Sequence, residues 1–72
     1  MLIINSAAVQ EAMLRREIGV MELANLARIP PKTISRAHRR NIPVQLPTLA
    51  RLAKALGIEP EKLLKRDDSR DQ

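Results

Sequence analysis

Apolar positions recur along the chain at helical spacing, in five short stretches separated by glycine, proline or polar residues. Val9, Ala12 and Met13 share one stripe of a first helix, expected from Ala7 to Glu17, with Asn5 or Ser6 as its cap and Gly19 as its breaker. Val20, Leu23, Ala24 and Ala27 fall at i, i+3, i+4 and i+7 and predict a second helix from Val20 to Ala27. The run Arg28-Ile29-Pro30-Pro31 forces a turn, and Pro31 suits the first position of a third helix ending near Arg39. That helix would bury Ile34 and Ala37 and direct Lys32, Thr33 and Arg36 outward. Residues 41–45 read as loop. A fourth helix begins near Pro47 and stops before Gly57, with Leu49, Leu52, Ala53 and Leu56 facing inward. Ile58 bridges to a short fifth helix from Pro60, carrying Leu63 and Leu64. The expected fold class is all-α: one compact five-helix domain over residues 1–66, then a disordered polar tail over 67–72. No strand pattern longer than Leu2–Ile4 is present, and there is no internal repeat.

Size sets the energetic problem. A chain of 72 residues buries only about 60% of its unfolded surface and needs disulfides, a metal, a partner or very regular helix packing. Cysteine is absent and His38 stands alone, without carboxylates near it in sequence, so disulfide and metal solutions drop out. Regular helices, a partner chain, or both remain. The lack of cysteine fits a reducing cytosol. No apolar run approaches a membrane span, and Met1-Leu2-Ile3-Ile4 is too short for a signal peptide, so an intracellular soluble chain is expected.

Composition also weighs against chemistry. With no aromatic residue there is no stacking platform for single-stranded nucleic acid. Gly19 and Gly57 are isolated and cannot form a phosphate-cradling loop. Ser6, Ser35 and Ser69 have one histidine between them, and the pairs Glu59/Glu61 and Asp67/Asp68 read as solvated charge. Neither an enzyme nor a bound cofactor is expected.

Charge is distributed unevenly. Between Glu22 and Glu59 there is no acidic residue, yet Arg28, Lys32, Arg36, Arg39, Arg40, Arg51 and Lys54 all fall there. The remainder carries six cations and eight anions, so the net +5 comes from the central block. Such a block repels itself, and an anionic partner would relieve it.

Two short helices joined by a tight turn, the second one basic, describe a helix-turn-helix over about residues 20–39. Met21-Glu22-Leu23-Ala24, then Ile29-Pro30-Pro31-Lys32-Thr33-Ile34-Ser35-Arg36, then Leu49-Ala50-Arg51-Leu52-Ala53-Lys54-Ala55-Leu56-Gly57-Ile58, occur in that order. Together they resemble the lambda-repressor/Cro (Xre-type) helix-turn-helix family, from Val9 to Leu64. The resemblance implies a lambda-repressor-like fold with the third helix in the major groove of double-stranded DNA.

Carried over by position, Pro31, Lys32, Thr33 and Arg36 are the base-contacting residues. Arg36 has the planar fork that reads guanine, Lys32 reaches the same acceptors, Thr33 offers a hydroxyl and a methyl, and Pro31 contributes shape. Val20, Arg28, Arg39 and Arg40 fall on the phosphate side. Val20 stands where members often carry a DNA-contacting glutamine, Arg28 where they often carry glycine, and Pro30 where a serine or threonine usually caps the third helix. An arginine–glutamate pair frequent between helices one and three becomes Met13 and His38, a neutral contact with His38 as a packing residue.

The resemblance further implies a transcription regulator, a repressor or Cro-like switch, acting in the cytoplasm on the nucleoid of a bacterium or phage-infected host. A homodimer on DNA is expected, with Leu2, Ile3, Ile4, Leu63 and Leu64 as interface candidates; the alternative is that these five pack within one chain. A second reading is an antitoxin-type module whose free apolar arm clasps a protein partner. A third, a DNA-bending accessory protein, lacks an evident wedge residue.

Overall fold

The computed structural model describes residues 2–65, so the polar tail lies outside the described residues. The elements run β1 (Leu2–Ile3), α1 (Ser6–Arg16), α2 (Val20–Ala27), α3 (Pro31–Arg39), β2 (Pro43–Val44), α4 (Leu46–Leu56) and a 3-10 helix (Pro60–Leu63). Among the described residues there are four α-helices, not five. The last element is a single 3-10 turn, because Leu64 leaves it in an extended conformation (φ −86°, ψ 144°) to bridge Ile4.

That bridge belongs to a small sheet absent from the helical pattern. β1 pairs antiparallel with β2, Leu2 opposite Val44 and Ile3 opposite Pro43. On its other side Asn5 N–H donates to the carbonyl of Leu63 at 2.7 Å, and Lys65 N–H to that of Ile3 at 2.8 Å. The expected loop over 41–45 therefore contains a strand, and β1 has partners on both edges.

α2 packs against both α3 and α4, while α1 packs on α3. The core between them is aliphatic, with Ile4, Val9, Leu23, Ile34, Leu49, Leu52, Leu56 and Leu63 almost fully enclosed. No charged or polar side chain is buried among the described residues. Each enclosed branched residue contributes roughly 1.5–3 kcal/mol of transfer free energy.

Two of the expected interface residues are corrected by this packing. Ile4 and Leu63 are both 0% exposed within one chain and offer no surface to a second. Leu2 and Leu64 are half-buried against the core, which leaves Ile3 as the exposed member of the set.

Helix ends follow one rule used three times. α1, α2 and α4 each stop at a left-handed residue followed by isoleucine: Glu17–Ile18, Arg28–Ile29 and Gly57–Ile58. In each, the isoleucine N–H reaches back to Met13, Ala24 or Ala53 at 3.1 Å. The buried or half-buried isoleucine completes the motif. Only one of the three positions is glycine. Gly19 does not break α1 as expected; it precedes α2 with φ −97°, a conformation any residue adopts.

Candidate nucleic-acid interface

The helix-turn-helix occupies the range its spacing predicted, α2 over Val20–Ala27 and α3 over Pro31–Arg39. Ile34 and Ala37 are buried and fix the inward face of α3. Lys32, Arg36 and Arg39 are exposed at i, i+4 and i+7, so they form one stripe along the outward face. The stripe is about 10 Å long at the helical rise. Pro31 is exposed at the first turn, Thr33 is half-buried beside the stripe, and Arg40 follows as an exposed extended residue.

The cations of the acid-free block lack ion pairs among the described residues. The one salt bridge there joins Arg15 to Glu11 at 3.0 Å on α1, away from the block. Arg28 is exposed in the turn between α2 and α3, and Arg51 and Lys54 are exposed one turn apart on α4. The last two belong to the basic block and lie outside the helix-turn-helix itself.

Backbone donors separate α1 from the helix-turn-helix. In α1 the first four N–H groups are all satisfied: Ser6 donates to Asn41 Oδ1 at 2.9 Å, Ala7 and Ala8 to Asn5 Oδ1, and Val9 to Asn5 O. In α2 the N–H groups of Val20, Met21 and Glu22 have no acceptor among the described residues, since Gly19 supplies no side-chain cap. In α3 Pro31 has no N–H, and Pro30 O accepts from Thr33 at 3.0 Å and Ile34 at 3.2 Å. Lys32 N–H alone is left open there. Open helix N-termini beside exposed cations suit an anion. Val20 needs a correction on this point: its side chain packs against the core and carries no donor, so only its main chain can face a phosphate.

Gln10, Asn41 and Asn5 hold the unit in place. Gln10 Nε2 donates to the carbonyl of His38, near the C-terminal end of α3. Met13 lies in the core and His38 is half-buried, but the polar link between α1 and α3 is this one. It was not legible from sequence, since a surface glutamine has no spacing signature. Among the described residues no cluster of three metal-ligating side chains occurs.

A short helix pair with a buried inner face, an outward cation stripe and uncapped N-termini defines a helix-turn-helix DNA-binding domain. The chain belongs to the Cro/C1-type HTH DNA-binding domain family, whose profile it matches over residues 8–69. No curated protein matches it. Among solved structures it is similar to part of a 2-hydroxyethylphosphonate dioxygenase (HEPD) variant, at 26% identity and a TM-score of 0.78 over 96% of this chain. A cadmium-containing PhpD is similar at 25% identity and a TM-score of 0.73. The chain spans only 16% of the former and 14% of the latter.

Proposed function

We propose that this chain is a sequence-specific transcription regulator that acts by occupying operator DNA. The observation that carries the reading is the Lys32–Arg36–Arg39 stripe, exposed and without ion pairs among the described residues on a helix anchored by Ile34. Arg36, with Lys32 and Thr33, reads base edges; Arg28, Arg39 and Arg40 and the open N–H groups of α2 hold phosphates. Selection of duplexes from a random pool tests this directly. A defined motif should emerge, and its affinity should fall steeply with salt, by about 0.9 log units per tenfold salt for each neutralised phosphate. A flat salt profile with no selected motif would sink the reading.

One recognition helix reads too few base pairs to find a site among roughly 10⁶–10⁹ competitors, so we place two copies on half-sites one helical turn apart. With Ile4 and Leu63 committed to the core, we assign pairing to Ile3 and the groove lined by Leu2, Val44, Gln45 and Leu46. Footprinting should show paired half-sites and sigmoidal filling, and Ile3→Lys with Leu46→Lys should abolish the sigmoid. Of the Leu2–Ile4 arm that the antitoxin-type alternative would use, Ile4 is enclosed in the core and Ile3 stays exposed.

A further inference from the structure

We propose that Gln10 is a positioning residue for DNA binding: its side-chain amide, donated to the carbonyl of His38, fixes the end of α3 from which Arg39 and Arg40 reach the phosphate backbone. The role rests on the DNA-binding reading above and adds a residue outside the reading unit to it. The carbonyl of His38 and the nitrogen of Arg39 share one planar peptide unit, so the bond from Gln10 sets the plane from which Arg39 hangs. Arg40 N–H in turn donates to Arg36 O at 2.9 Å, and Arg40 then leaves the helix at φ −155°, ψ 163°.

The neighbouring residues are held from the same side. Ser6 N–H donates to Asn41 Oδ1 at 2.9 Å and Ile4 N–H to Ile42 O at 2.8 Å. Residues 38–42 are thus tied to residues 4–10 by three bonds. Of these, the Gln10 bond is the one that a side-chain change on α1 removes. Glutamine suits the place because it supplies a donor without adding a charge beside the arginines.

Gln10, Arg39 and Arg40 are all exposed. A hydrogen bond at such a surface competes with water and adds little to the stability of the fold. Its effect on binding is larger in kind, because two arginines whose main chain is already fixed lose less freedom on meeting DNA than two whose main chain frays. A cap serving only the fold would leave the phosphate contacts alone.

The test is Gln10→Met in the whole chain, which keeps length and neutrality and removes the donor. Binding is read against a selected duplex and a scrambled one at several salt concentrations. Thermal melting should fall by no more than about 4 °C. Affinity should drop about three- to tenfold on both duplexes, with a salt slope shallower by about one. In an Arg39→Ala/Arg40→Ala background the same substitution should have no further effect on binding. Wild-type binding with an unaltered Gln10→Met variant overturns the role alone, as does a full Gln10→Met effect without the two arginines. A wild-type chain with no salt-dependent DNA binding overturns the DNA reading and this role together.

Discussion

The N–H of Ile29 closes on the carbonyl of Ala24 at 3.1 Å, and Arg28 between them is held in the left-handed region at φ 59°. A non-glycine residue there carries a strain of about 1–2 kcal/mol that glycine escapes. Glycine gives part of this back through the greater freedom of its unfolded chain. Arg28→Gly should therefore stabilise the domain by about 0.5–1 kcal/mol. Calorimetry would show a higher midpoint, while affinity for every duplex falls because one phosphate-side cation is gone. A variant that melts lower would mean that the arginine side chain stabilises the turn.

Gly57 is the converse case. It has φ 72°, and a β-carbon there would stand 2.8 Å from the Arg16 guanidinium. The arginine tip can swing away, so the left-handed backbone sets the cost. Gly57→Ala should lose about 1–2 kcal/mol in urea titration with an unchanged slope. Equal midpoints for the two proteins would contradict the helix-end motif at Ile58.

Ile34 is 1% exposed at the junction of α3 with the core. Ile34→Asp puts an unpaired carboxylate into a wholly aliphatic interior, a cost of several kcal/mol for a domain of this size. Circular dichroism should show a largely unfolded chain at room temperature. An intact helical melt would mean that α3 can turn this face to solvent.

Arg36 and the arginines that follow it should differ in kind. Arg36→Ala should lose about 1–3 kcal/mol on the selected duplex and relax one base position. Arg39→Ala should weaken selected and scrambled duplexes alike and reduce the salt slope by about one. Repeating the selection with each variant distinguishes base reading from backbone holding, and an unaltered motif for Arg36→Ala would remove its base-reading role.

The parts of the fold legible in the sequence are those written in local period. α2 and α3 run from Val20 and from Pro31 as the apolar spacing implies, because their cores and their turn lie within 20 residues of one another. What was hidden is non-local or non-periodic. Pairing of Leu2–Ile3 with Pro43–Val44 joins two dipeptides about 40 residues apart, too short for any alternation to register. Glu17 and Arg28 end helices in a left-handed conformation that composition associates with glycine, so the end of α1 at Glu17 carries no residue-type signal, whereas the nearby Gly19 does. The exposed cations of α3, Lys32, Arg36 and Arg39, were readable because a stripe is periodic. Gln10 and Asn41 were not, because a single amide aimed at a distant main-chain atom leaves no pattern.

The sheet at the foot of the bundle has a consequence for how the domain can be used. Lys65 N–H bonds Ile3 O at 2.8 Å, so the described chain enters and leaves side by side. A unit whose two ends meet can be spliced into a surface loop of another protein without stretching the host, or cut open elsewhere and rejoined as a circular permutant.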